Sequence, residues 1–330
     1  MKAINLAIVG ATGLVGRKFL EVLEEKSQIK IKNLYLFASA KSAGKQIVFR
    51  GKPVTIIELN EENIKKYKID YALFSAGGGV SATYAPIFAV NGTIVIDNSS
   101  AWRMDTNVPL IVPQVNPEEI EHHQGIIANP NCSTIQCMLP LQALKQAFGL
   151  KKVSYSTYQA VSGSGQKGIM DLERTTNGEA PSFYPYPIFN NCIPCIDSFL
   201  DNGYTKEEMK MINETRKILN LPELEITATC VRVPVMNSHC VETNIELSKD
   251  FEIDEIYKTL STFPNIVIAD DPAHHIFPVP TMATGSDKVF VGRIRRTLSN
   301  PKGLHIFCVA DNVRKGAASN AVEILELFLK

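Results

Sequence analysis

The sequence has no excess of charge. Its 330 residues carry 34 Lys and Arg against 34 Asp and Glu. The basic residues are dispersed, so the electrostatic footprint of a nucleic-acid-binding protein is missing. No apolar run reaches the length that spans a bilayer, and no membrane partner is expected. Internal repeats and low-complexity tracts are absent, which excludes solenoids and repeat arrays. Cysteines number seven and are scattered. That is no disulfide framework; it suits a reducing compartment, and a cytoplasmic location is expected. An apolar run begins at Ile4, and no secretory leader is expected. Metal signatures are equally sparse. Cys192-Ile193-Pro194-Cys195 is a CxxC, but no second pair stands near to complete a zinc site. It lies in a proline-rich stretch instead of before a helix, so a redox reading also fails. His122-His123 and His274-His275 sit among acids in polar loops and read as solvated. No metal is expected.

At this length two domains are the prior. Ile4–Val9 reads as a buried strand. Gly10-Ala11-Thr12-Gly13-Leu14-Val15-Gly16 follows, then a helical pattern to about Glu25. Strand, glycine-rich turn and helix are the start of a dinucleotide-binding unit, with a pyrophosphate on the turn and helix N-terminus. The spacing is GxxGxxG instead of GxGxxG, and a tight turn in another α/β domain is the competing reading. The next strand, Asn33–Ala38, ends in Ser39-Ala40-Lys41-Ser42-Ala43-Gly44-Lys45. An NAD site would carry an acid there to hold the ribose hydroxyls. A hydroxyl and a cation stand there instead, which favours NADP over NAD; a solvated lysine loop is the alternative.

Strands at 54–58, 71–75 and 93–96, with a helix at 80–90, predict a parallel sheet. The loop Asp97–Arg103 carries the single tryptophan, Trp102. Arg103 could clamp a phosphate or carboxylate; an exposed arginine is the plain reading. Later segments read as strands in runs with few crossover helices: 153–160, 226–235, 240–247, 289–296 and 304–311. The second half is therefore α+β, and its sheet is expected to pair with a second copy. An amphipathic helix over 315–329 closes the chain.

Asn129-Pro130-Asn131-Cys132-Ser133-Thr134 is the centre of the chemistry. Ser133–Phe148 reads as a helix with an apolar stripe and an interior Pro140 that would kink it. Asn131 is a plausible N-cap, and Cys132 sits where the helix begins. A helix N-terminus favours thiolate, the nucleophilic form of cysteine. Position alone leaves a buried structural cysteine open. Glu207 and Lys210 share a face of a predicted helix at i, i+3; by spacing alone that face is solvent-exposed.

These stretches together resemble the aspartate-β-semialdehyde dehydrogenases of the bacterial dimeric type. The similar segments are GATGLVG at 10–16, SSAWRM at 99–104, NPNCSTIQ at 129–136, YQAVSGSGQKG at 158–168, Glu207 to Lys210, CVRVPV at 230–235 with His239, DKVFVGRIRR at 287–296 and DNVRKGAA at 311–318. The resemblance implies an α/β chain: a Rossmann-type NADP-binding domain over 1–128 plus 315–330, and an α+β catalytic and dimerisation domain over 129–314. It implies Cys132 as the nucleophile that forms an acyl-thioester, His239 as general acid/base, and Gln159 beside the thioester. Arg232 would hold the substrate carboxylate, Glu207 its ammonium, and Arg103 and Lys210 phosphate. Gly10, Thr12, Gly13, Leu14, Val15, Gly16, Ser39, Ala40, Lys41, Ser162, Gly163 and Asn312 would line the NADP site. The implied reaction reduces β-aspartyl phosphate to aspartate semialdehyde and phosphate, on the branch to lysine, diaminopimelate, threonine and methionine, in a cytoplasmic homodimer. Two rivals stand beside it. An N-acetyl-γ-glutamyl-phosphate reductase would share the chemistry but has no ammonium for Glu207 to bind. A non-catalytic NADP sensor would need no nucleophile.

Overall fold

The computed structural model describes residues 3–329. Two compact units are present, Met1–Pro130 with Ala317–Lys330, and Asn131–Gly316.

The first unit opens with β1 (Ile4–Val9), α1 (Leu14–Glu25) and β2 (Ile31–Ala38). A hairpin follows, β3 (Gln46–Phe49) and β4 (Lys52–Glu58), then α2 (Glu61–Lys66), β5 (Tyr71–Phe74), α3 (Gly78–Val90), β6 (Ile94–Asp97) and β7 (Ile126–Ala128). The sheet order is β3-β4-β2-β1-β5-β6-β7. The expected parallel sheet is thus mixed, because β3 pairs antiparallel with β4. Arg50 and Gly51 both take positive φ, 48° and 74°. They form a two-residue hairpin loop, whose twist matches the strands it joins. Sequence reading missed β3, and missed α2, which Asn60 caps by accepting the Asn63 N–H. Gly77 caps α3, and Gly78 and Gly79 begin it, two residues ahead of the helix expected at 80–90.

The second unit begins with α4 (Cys132–Phe148), β8 (Leu150–Gln159), α5 (Gln166–Thr176) and α6 (Lys206–Leu219). It continues with β9 (Glu225–Arg232), β10 (His239–Leu247), α7 (Ile253–Thr262), β11 (Ile266–Ile268), α8 (Pro280–Ala283), β12 (Val289–Thr297) and β13 (Asn300–Ala310). Its sheet runs β11-β12-β13-β10-β8-β9. The outer pairs β8–β9 and β11–β12 are parallel and the inner pairs antiparallel. α4 packs against this sheet and against α6 and α7. It is buried on nearly every side, not along one stripe, as befits a helix that is apolar almost all round.

The closing helix differs from expectation. Arg314–Ala318 is a π-helical turn, and α9 follows at Ser319–Leu327. α9 belongs to the first unit, where Val322, Ile324 and Leu325 join Leu6, Ile8, Phe19 and Leu23 in one core. Asn320 ties it down, its Nδ2 donating to Ile111 O at 3.0 Å and Asn129 Oδ1 at 2.7 Å. Removing buried aliphatic volume loses transfer free energy and leaves a cavity. Ile324→Ala should therefore lower the stability of this unit by roughly 2–5 kcal/mol in urea unfolding. Lys26→Ala, which breaks only the half-exposed pair with Glu326, should cost under about 1 kcal/mol. Equal costs would show that α9 is held by its rim and not by the core.

Candidate active site

The site in the second unit is built from the start of α4. Asn131 is the N-cap, in extended conformation at φ −62° and ψ 144°. Its Oδ1 accepts the Ser133 N–H at 3.0 Å and the Thr134 N–H at 3.4 Å. Cys132 is the first helical residue. Between Asn131 and Leu141 it alone is not buried, so it combines a helix N-terminus with access, the two conditions a reactive thiol needs. The backbone opposite is crowded. A Cβ on Gly316 would lie 2.8 Å from the Cβ of Cys132, so only glycine fits there.

α6 delivers the charged groups. Its N-terminus is a capping box, in which Thr205 accepts the Glu208 N–H and Glu208 accepts the Thr205 N–H. Glu207 is buried, contrary to the solvent-exposed face expected from spacing. Its Oε1 accepts Asn131 Nδ2 at 3.0 Å and Gln159 Nε2 at 3.2 Å. Its Oε2 pairs with Lys210 Nζ at 3.2 Å. Burial pushes the Glu207 carboxyl up, but the Lys210 ammonium and the two amide donors outweigh it and hold it below its ordinary value. Lys210 is half-buried and also pairs with Asp197 at 2.9 Å. Burial lowers its pKa, yet the two carboxylates raise it overall. Ionised Glu207 and Lys210 are therefore the stable forms. The i, i+3 spacing is seen, but the face it occupies turns inward.

Arg232 ends β9 and His239 begins β10, both buried. The backbone of one residue, Ala160, orients them. Arg232 Nη1 donates to Ala160 O at 2.6 Å. The Ala160 N–H donates to His239 Nδ1 at 3.0 Å. An imidazole that accepts at Nδ1 carries its proton on Nε2 when neutral. Burial, then the neighbouring Arg232 guanidinium, hold the His239 pKa well below its ordinary value. The neutral Nε2–H form thus dominates. His239 Nε2 and Arg232 Nε are buried with no partner among the described residues, two donors kept for something that arrives with oxygen. Gly163 lies against both: a Cβ there would come within 3.0 Å of Arg232 Nη1 and of His239 Nε2. Beside them, Ser162 Oγ accepts from Asn312 Nδ2 at 2.9 Å, and Asn312 Oδ1 accepts the Ser238 N–H at 2.8 Å. α4 is fastened to the same strand pair, since Gln136 Nε2 donates to the carbonyls of His239 and Cys308, each at 3.2 Å.

The remaining predicted residues lie in the first unit. Gly10 has φ +86°, and a Cβ there would press on the Ser75 carbonyl at 2.8 Å. A Cβ on Gly16 would lie 2.1 Å from Gly10 O. No side chain caps α1 at Gly13, so a phosphate can stand where a capping oxygen would. Such a turn fits the pyrophosphate of a dinucleotide. Thr12, Leu14 and Val15 are half-buried around it, and Ser39, Ala40 and Lys41 are exposed where β2 ends. Arg103 is not an exposed arginine. It is buried, with Nε donating to Asn129 O and Nη2 to Asn98 O, both at 2.9 Å.

Sequence reading did not single out Glu214, Asp197, Gly316 or the Ala160 backbone. Glu214 lies seven positions after Glu207, the spacing of one helix face, and could have been found. The others carry no sequence signal, because their roles are backbone contacts or non-local.

A family model described as "Semialdehyde dehydrogenase, NAD binding domain" matches residues 5–123, and "Semialdehyde dehydrogenase, dimerisation domain" matches 141–315. The aspartate-semialdehyde dehydrogenase of Aquifex aeolicus is 49% identical, with 99% of this chain and 98% of that protein covered. The Bacillus subtilis protein of the same name is 45% identical over 100% and 98%. A crystal structure of Vibrio cholerae aspartate semialdehyde dehydrogenase II complexed with ASA superposes with a TM-score of 0.95 at 43% identity, covering 100% of this chain and 99% of the other. With both family models matched in order and full-length relatives of one name close to half identical, the chain belongs to the aspartate-semialdehyde dehydrogenase family.

Proposed function

We propose that this oxidoreductase is an NADP-dependent aspartate-semialdehyde dehydrogenase. It would reduce β-aspartyl phosphate to aspartate semialdehyde and phosphate in amino-acid biosynthesis, on the branch to lysine, diaminopimelate, threonine and methionine. The observation that carries the reading is the accessible Cys132 at a capped helix N-terminus, in one unit with Glu207, Lys210, Arg232 and His239. An acyl phosphate bearing an amino acid asks for such a set: a soft nucleophile, cations for two anionic ends, and a carboxylate for the ammonium.

The Cys132 thiolate attacks the acyl carbon, the carbon–oxygen bond to phosphate breaks, and an acyl-thioester forms. Lys210 and Arg103 receive the phosphate. Arg232 holds the α-carboxylate and Glu207 the ammonium, while Gln159 steadies the thioester. Reduced NADP, when bound, supplies a hydride to the thioester carbon. His239, in the general acid/base position, donates a hydrogen bond from Nε2–H to the oxygen as it becomes alkoxide. The thiohemiacetal alkoxide then re-forms the carbonyl, the carbon–sulfur bond breaks, and aldehyde and thiolate separate. Gly10 to Gly16, Ser39, Ala40, Lys41, Ser162, Gly163 and Asn312 would hold the nucleotide. The buried, ionised Glu207 favours this substrate over an N-acetylated acyl phosphate, which has no ammonium. A homodimer is part of the proposal, supported by the matched dimerisation domain and by Tyr158, which stands exposed on the sheet beside Phe307. A cytoplasmic setting is supported by the scattered cysteines.

The deciding assay is phosphate-dependent reduction of NADP with aspartate semialdehyde. Wild type should be active and Cys132→Ser should lose nearly all activity with its fold kept, because a serine hydroxyl ionises far less than a thiol at neutral pH. Residual turnover above about 5% would end the nucleophile assignment.

The loop after β2 sets the second expectation. With Ser39 and Lys41 where an acid would stand, NADP should be preferred to NAD, and Lys41→Asp should narrow or reverse the preference. Equal use of both cofactors by wild type refutes this.

Arg232→Lys separates binding from chemistry. A guanidinium grips a carboxylate through two parallel hydrogen bonds that lysine cannot reproduce. Charge-assisted contacts contribute roughly 1.5–3 kcal/mol, so kcat/KM should fall about ten- to over a hundredfold. Glu207→Gln should fall in a similar range, mainly through KM. A change within about twofold for Arg232→Lys would remove it from carboxylate binding.

A further inference from the structure

Asn131 is held from two sides by one helix. Glu207 accepts its side-chain Nδ2 at 3.0 Å. Glu214, two turns further along α6 and 1% exposed, accepts its main-chain N–H through Oε2 at 2.7 Å. The second contact has a specific meaning. In a capping box the N-cap side chain accepts the N–H three residues on, and a Glu or Gln at that third position accepts the N-cap N–H in return. Here the first half is present, from Thr134 N–H to Asn131 Oδ1. The second half cannot be local, because position 134 is a threonine, and its Oγ1 is turned to Met211 Sδ at 3.5 Å. Glu214 supplies from another helix the carboxylate that the local sequence lacks.

We propose that Glu214 is a positioning residue for the reaction: by completing the cap of α4 from α6 it fixes Asn131, and through Asn131 the direction of the Cys132 side chain. The inference rests on Cys132 being the nucleophile. In this reading Glu214 acts through Asn131. The role belongs to its reach and not to its charge. A glutamine keeps an oxygen at the same distance; an aspartate keeps the charge but is one methylene short.

The test compares Glu214→Asp and Glu214→Gln by steady-state kinetics and by the rate of iodoacetamide labelling of Cys132 across pH. A buried N–H that loses its acceptor costs enough to expect about a tenfold or larger fall in both kcat and labelling rate for Glu214→Asp, with KM changed less than about threefold. Glu214→Gln should stay within about threefold of wild type in both. Ile218→Ala, a buried residue on the same helix, is the control for general loosening and should label at the wild-type rate. Glu214→Asp labelling like wild type, Glu214→Gln slower than Glu214→Asp, or Ile218→Ala as slow as Glu214→Asp would each overturn the assignment. Wild-type labelling separates this from the underlying reading. No fast thiol at Cys132 defeats the nucleophile itself, whereas a fast thiol indifferent to Glu214→Asp defeats only the role of Glu214.

Discussion

A helix N-terminus that is buried must find acceptors for its leading N–H groups within the protein, since water cannot reach them. That constraint governs the second unit at Asn131. Its Oδ1 takes two N–H groups of α4, and its own N–H and Nδ2 are taken by Glu214 and Glu207 of α6. Glu207 can be buried here because it meets several donors. It collects Asn131, Gln159 and Lys210, and this keeps it ionised against the cost of burial. Of the residues in this turn, Cys132 alone is not buried.

The backbone of Ala160 is a second organising point. Its carbonyl accepts from Arg232 and its N–H donates to His239, so guanidinium and imidazole are held by the two peptides that flank one Cα. Such an arrangement sets the tautomer of His239 without a carboxylate. A carboxylate partner would raise the imidazole pKa; a backbone N–H on Nδ1, burial and the adjacent Arg232 all favour the neutral ring. Gly163 leaves room in front of both groups, where a side chain would collide with each. A neutral donor and a fixed cation beside an open glycine suit an oxygen that gains negative charge during a reaction.

Much of the layout was legible because it is local. The strand, glycine turn and helix of 4–25 follow from short apolar runs and the space glycine leaves. Asn131 before an apolar helix reads as a cap from type and position alone. What escaped was non-local or against the average. β3 is a short edge strand with Arg50 at positive φ, an unusual residue for such a turn, held by Glu24 and by the carbonyls of Leu23 and Ile29. Glu207 and Lys210 were read as solvated because charged residues usually are. The π-helical turn at 314–318 interrupts what looked like one amphipathic helix, and the periodicity of Lys315–Leu329 does not reveal where the ladder changes step.

By itself the sequence determined the classes of the two units, the elements that begin them, and the types of residue available for chemistry. Those depend on backbone preferences and apolar periodicity, which act over a few residues. Tertiary structure alone decided that the face of α6 bearing Glu207 turns inward, that Glu214 completes a cap the residues after Asn131 could not complete, and that Ala160 serves Arg232 and His239 at once. Each of these is a hydrogen bond between groups 70 or more positions apart. Their partners become neighbours only when the chain is packed, and no local pattern encodes the meeting.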